Sequence, residues 1–318
     1  MQQFGTRPDG QHVHSHTIGA GDISVEVLTH GAILRDLRIA GVDYSLTPGG
    51  ETLDDYLGKF KHHGPLIGPI ANRIGTARVR IAGMMYELER NQGGRIHLHS
   101  GSEGTHRQVW NVIEHSSDQI TLGLDMPDGA AGLPGHRIIR VTYRVTAPAA
   151  LTMTVTATSY NTTMFNFANH SYWNLDGSDS WVGHRLLVHA DRYLPTDADN
   201  LPTGEIADVH GTDMDLRSGA NLTPSAPALD HNFCLSTGRR DLRDVAVLTG
   251  KTGIRLTMGT TETGLQIYDG RTSLKPYHAL ALEAQSWPDA PNHRGFPSIR
   301  LDEGDIYTQT TRWKIDGY

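Results

Sequence analysis

At 318 residues, with 37% hydrophobic residues and 35 glycines, the chain has a globular composition and enough length to bury a large core. Its formal net charge of −7 arises from acidic and basic residues mixed throughout, with no basic stripe to neutralise phosphates, so nucleic acid is not an expected partner. Cys234 is the single cysteine, which excludes an intrachain disulfide and any cysteine-based zinc motif.

Residues 1–10 are polar and lack the apolar stretch of a secretory signal. No segment approaches the ~20 apolar residues of a spanning helix. The expectation is a soluble, cytoplasmic protein without a membrane partner, monomeric or homodimeric.

In chain order, period-two or β-branched runs predict strands at 22–28, 33–39, 76–81, 85–89, 109–115, 119–124, 137–145 and 151–158. Further runs follow at 184–189, 253–258, 265–268, 279–283 and 306–315. Turn signals such as Pro8-Asp9-Gly10, Pro48-Gly49-Gly50, Gln92-Gly93-Gly94, Pro127-Asp128-Gly129 and Leu133-Pro134-Gly135 separate them. Thr52 to Gly58 fits one helical turn capped by Thr52 and ended by Gly58. No βαβ unit, dinucleotide-binding glycine pattern or phosphate-cradling loop occurs. The most polar loop, 191–221, is followed by more strands, so one all-β domain over 1–318 is expected.

Asn169-His170-Ser171-Tyr172-Trp173-Asn174 follows the alternating run 151–158, and so is expected where that strand emerges from a sheet. An imidazole, amides and flat aromatic faces together suit a polyhydroxylated ligand, although the same residues at a strand end can simply satisfy backbone groups. His97-Leu98-His99 on a strand, with Glu103 four residues on, resembles the metal-binding pattern of cupin barrels. The glycines flanking that pattern are absent, and no second cupin motif occurs. His12, His14 and His16 fit an N-terminal strand with one solvated face, and His62-His63 carry no distinguishing context. No Gly-x-Ser-x-Gly elbow supports a Ser/His/Asp site.

Near the C-terminus, Glu283 shares a strand face with Ala281 and Ala279, where a carboxylate is either paired or held for proton transfer. Trp287 offers a flat surface to a sugar ring, and Gln285 a bidentate amide.

Taken together, the chain resembles the aldose 1-epimerase family, the galactose mutarotases, nearly end to end. Gly68-Pro69-Ile70-Ala71-Asn72-Arg73-Ile74-Gly75 is similar to the family's Gly-Arg-x-x-Asn-Arg-Ile segment, and His97 to Gly101 to its Leu-His-Gly-Gly loop. The turn from Asp128 to Gly135, the hexapeptide 169–174, Leu194 to Asp197 with Leu201 to Glu205, Leu229 to Phe233 and Leu282-Glu283-Ala284-Gln285 follow in the family's order.

The resemblance implies a large twisted antiparallel β-sandwich with an open sugar cleft, and interconversion of the α and β anomers of a free aldose; the alternative within the same fold is a non-catalytic sugar-binding relative, against which the presence of both Glu283 and His170 speaks. Opening a cyclic hemiacetal requires loss of the C1 hydroxyl proton while the ring oxygen gains one. By carry-over, Glu283 is the base and His170 donates to the ring oxygen. His99 holds the ring oxygen or a neighbouring hydroxyl, and Arg73 and Asn72 bind hydroxyls at the reacting end. Asp230 accepts from hydroxyls at the far end, Gln266 contacts the sugar, and Tyr172 lines the cleft. Both protonation states are restored each turnover, so neither a metal nor an organic cofactor is expected. Three positions depart from the family: Pro69 for its arginine, Ser100-Gly101 for Gly-Gly, and Thr105-His106 for Phe-Asp. They leave the preferred sugar open, while the acidic balance of the chain speaks against an anionic one.

Overall fold

The strand Ala150–Ser159 sets the pattern for the molecule: Leu151, Met153, Val155 and Ala157 are buried, while the threonines between them are only half-buried. Each buried Leu, Met or Val contributes about 1.5–3 kcal/mol relative to exposure, and a one-residue slip would turn all of them to the other face, so register is fixed. A computed structural model describes residues 1–318. In it this strand lies within a nine-stranded antiparallel sheet, between Arg137–Thr146 and the C-terminal Tyr307–Asp316. A six-stranded sheet packs on it, ordered Tyr172–Trp173, Leu280–Gln285, Gly264–Tyr268, Asp230–Cys234, Arg192–Leu194 and Ala207–Asp208. A four-stranded N-terminal sheet, Gln2–Thr6 to Ile33–Ile39, completes the sandwich.

The all-β expectation holds, and the strongly patterned strands fall within a few residues of their expected limits. The helix Leu53–Leu57 is also where the sequence puts it, closed by a capping box in which Thr52 and Asp55 satisfy each other's backbone N–H groups. Differences lie in the irregular stretches. The run 76–81 begins as a 3-10 turn, Gly75–Ala77, before the strand Arg78–Ile81. The polar loop 191–221 contains three short strands, Arg192–Leu194, Ala207–Asp208 and Ala220–Asn221.

The hexapeptide is not the end of Ala150–Ser159. Ala168–Asn169 pairs with Leu66–Ile67, and Tyr172–Trp173 pairs with Leu280 and Ala281, so the chain changes partners at His170 and Ser171. Two-residue strands have no periodicity to read, which is why their location escapes pattern analysis. The N-terminal strand His12–Ala20 likewise buries His16 instead of solvating it, against His115 at a ring separation of 4.9 Å.

Every residue of Leu280–Gln285 is buried. Leu280, Leu282 and Ala284 face the main core, and Ala281, Glu283 and Gln285 take the opposite face, beyond which the cleft opens. The sheet thus presents a carboxylate to a partly enclosed surface.

Candidate active site

Two backbone hydrogen bonds fix His170 between strands. Its N–H donates to Pro65 O at 3.0 Å, and its carbonyl accepts from Gly64 N–H at 3.0 Å. The Asn169 amide, donating to Gly64 O at 3.0 Å, secures the same crossing. The imidazole is thereby aimed across the cleft at Glu283, with Nε2 3.5 Å from Oε1. Both side chains are almost fully buried, at 6% and 3% exposure.

Burial acts on the two groups in opposite directions, because it penalises whichever form is charged. It pushes the Glu283 carboxyl up to about 8, assisted by the negative charge of Asp230 and opposed by Arg73. It pulls His170 down to about 4. Glu283 Oε2 has no hydrogen-bond partner in the chain, and neither has His170 Nδ1.

A second imidazole adjoins the pair. The strand His97–Leu98 ends before His99, whose backbone is left-handed (φ 52°). That turn lets His99 Nδ1 accept from the Asn72 N–H at 3.1 Å, which places the ring proton on Nε2, the nitrogen left for the cleft. Burial first, then the neighbouring histidines, holds His99 well below the usual imidazole range, so it is a neutral donor. Its ring lies 5.4 Å from that of His170.

Opposite the imidazoles, Arg73 is held by Gln92, to which its Nε donates at 3.1 Å, and approaches Asp230 at 3.4 Å. The other oxygen of Asp230 accepts from the Gln266 amide at 2.7 Å. Asn232, Gln266 and Glu283 are cross-strand neighbours, so one row of the sheet carries both the carboxylate and the residue that orients Asp230. Tyr172 forms part of the wall between His170 and His63, and stacks on His63 at 4.2 Å.

The enclosed space is about 380 Å³, within the ~300–1,000 Å³ range of small-molecule sites. Seven of the eight residues singled out in the sequence line it: Asn72, Arg73, His99, His170, Tyr172, Asp230 and Glu283. Gln266 does not; it is buried behind Asp230 and reaches the cleft only through that carboxylate. Trp287 is also elsewhere, packed at 5.1 Å on Phe296 in a satellite core with its indole N–H on Thr263 O. Gln285 is fully buried away from the cleft lining.

Sequence reading missed His62 and His63, both of which line the cleft. Their one available signal is position, a tandem pair just before the Gly68–Gly75 segment. Of the three departures from the family pattern, Ser100 is turned away, donating to Ile70 O and accepting Ile70 N–H. His106 reaches the imidazole group, 5.4 Å from the ring of His62.

The cupin-like metal set does not assemble. His97 is bound to Glu89 O at 2.8 Å, Glu103 accepts from Ala131 N–H at 2.7 Å, and His99 has left the strand that was to align it with His97. No group of three or more His, Cys, Asp or Glu side chains converges with metal-holding geometry.

A strand-borne carboxylate thus faces an imidazole over a polar cleft on an antiparallel β-sandwich. The family model described as aldose 1-epimerase matches residues 14–314. Galactose mutarotase of Rattus norvegicus is 32% identical over 98% of this chain and 97% of its own, and aldose 1-epimerase of Escherichia coli K12 is 32% identical over 97% and 96%. Among solved structures, an aldose epimerase homologue from C. elegans aligns with TM-score 0.88 at 28% identity, covering 96% of this chain and 99% of its own. Galactose 1-epimerase from Lactobacillus acidophilus aligns at 0.85 and 27%, covering 98% and 96%. The chain belongs to the aldose 1-epimerase family.

Proposed function

We propose that this enzyme, an isomerase, interconverts the α and β anomers of a free aldose, with Glu283 and His170 sharing one mobile proton. The 3.5 Å approach of Nε2 to Oε1 supports this reading above all else. With one group titrating near about 8 and the other near about 4, the pair retains a single proton across the neutral range.

That one proton can be arranged in two ways, and ring opening converts one into the other. Carboxylate plus imidazolium is the state that opens the ring: Glu283 takes the C1 hydroxyl proton, His170 gives its proton to the ring oxygen, and the C1 to ring-oxygen bond breaks. Carboxylic acid plus neutral imidazole is what remains. Rotation about the C1 to C2 bond exposes the other face of the aldehyde. Glu283 then returns a proton to the carbonyl oxygen as the C5 hydroxyl, losing its proton to His170, closes on C1. No net proton enters or leaves, and both groups end as they began.

His99 Nε2–H supports the ring oxygen as a fixed neutral donor. Arg73 stabilises negative charge developing on the C1 oxygen, and Asn72 fixes His99 through its backbone N–H. Asp230, oriented by Gln266 and Arg73, accepts from hydroxyls at the far end of the sugar. We also take residues 1–318 as one domain, because the main core draws on residues from Ile18 to Ile315.

The test is polarimetry of freshly dissolved, anomerically pure aldoses. Glu283→Gln keeps the volume and removes the base, so the enzymatic rate falls about a thousandfold, inside the ~10²–10⁴ range of general acid–base catalysis. A near-normal rate in a folded Glu283→Gln enzyme overturns the assignment.

A further inference from the structure

The loop at residues 60–64 is built to hold one side chain in a fixed place. Gly64 is left-handed at φ +83°, and a Cβ there would lie 2.2 Å from the Leu34 carbonyl oxygen, so only glycine fits. Its N–H and C=O are bound to His170 O and the Asn169 amide, and His63 N–H closes the loop onto Phe60 O at 2.8 Å. The His63 ring lies flat on Tyr172, with 17° between the planes. The loop is thus clamped to the segment that carries His170.

His62 sits at the centre of this clamp and lines the cleft. Its ring faces that of His170 at 5.8 Å with 24° between planes, and meets His99 edge-on at 5.0 Å. Burial, together with His170, His106, Lys61 and His63 around it, keeps it neutral, and it makes no hydrogen bond within the chain. A neutral imidazole has one donor and one acceptor nitrogen, and here both remain for a ligand.

The position of that ligand group follows from the roles of Glu283 and His170, on which this inference rests. His170 stands between the two, at 3.5 Å from Glu283 on one side and stacked with His62 on the other. A pyranose ring oxygen has two neighbouring carbons. Glu283 occupies the side of the anomeric carbon, which leaves His62 beside the other carbon and its exocyclic group.

We propose that His62 determines specificity by hydrogen-bonding the exocyclic hydroxymethyl group, so that the enzyme prefers hexopyranoses to pentopyranoses. A pentose leaves the imidazole in contact with the cleft but without its partner, and an unpaired polar group in a shielded site discriminates strongly.

The experiment compares sugars that differ only in that group, D-glucose with D-xylose and D-galactose with L-arabinose, by initial mutarotation rates. The wild-type enzyme shows the higher kcat/KM for the hexose of each pair. In His62→Phe, which keeps an aromatic ring against His170, the hexose-to-pentose ratio of kcat/KM falls about tenfold, chiefly through the hexose KM. His62→Gln, which restores a donor and an acceptor, recovers most of the ratio. His62→Ala carries the same expectation as His62→Phe and keeps the test decisive if phenylalanine is not accommodated; thermal unfolding verifies each fold. A ratio unchanged by these substitutions, or a wild-type enzyme with no hexose preference, overturns the role of His62. Neither result touches the Glu283 assignment, which stands or falls on the Glu283→Gln rate.

Discussion

The two walls of the cleft are made differently. One is regular sheet: Leu280–Gln285 and Gly264–Tyr268 carry Glu283 and Gln266 at cross-strand positions fixed by register, and the adjoining Asp230–Cys234 carries Asp230, tied to Gln266 by its side chain. The other is assembled from loops and two-residue strands, and carries His62, His63, His99 and His170. Burial raises the proton affinity of Glu283 and lowers that of His170, so the usual order of basicity is inverted, with the carboxyl at about 8 and the imidazole at about 4. The same desolvation acts on both, so the shared proton rests on Glu283 and passes to His170 to form the state that opens the ring.

If that comparison is right, activity depends on the pair holding one proton. Below about 4 both groups are protonated and the base is lost; above about 8 neither holds a proton and the acid is lost. The pH profile of kcat/KM is therefore a plateau between these limits, falling about tenfold per pH unit on each side. A profile that titrates instead near the unperturbed carboxylate and imidazole values, ~4.3 and ~6.5, breaks the claim that burial tunes the walls.

A smaller effect separates the reacting end of the carboxylate wall from its far end. Asp230→Ala removes a hydroxyl acceptor and frees Arg73 and Gln266, so KM rises about tenfold while kcat changes less, as befits a group held to bind rather than to transfer protons. Steady-state polarimetry separates the two constants. A kcat loss as large as that of Glu283→Gln would make Asp230 part of the proton path.

The same division explains what the sequence reveals. Ala150–Ser159 and Tyr307–Asp316 announce themselves through strict alternation, and the helix at Leu53–Leu57 through its capping residues. Glu283 is legible as a carboxylate on an apolar strand face. Asn72, Arg73, Asp230 and Gln266 become visible only through resemblance to a family, and Asn72, His99 and His170 lie in turns whose positions no period encodes. Gln285 shares the strand face of Glu283, yet that face continues past the rim of the cleft, so alternation alone misplaces it. His62 was invisible for the converse reason: its neighbours His99, His106 and His170 are between 37 and 108 residues away in the chain.

The most direct test of the shared proton is a double-mutant cycle of mutarotation rates with Glu283→Gln, His170→Asn and the two combined. Groups that act as one unit give a double variant no slower than the worse of the two single variants. A double variant whose loss equals the product of the single losses would mean that Glu283 and His170 work independently, and would contradict the account.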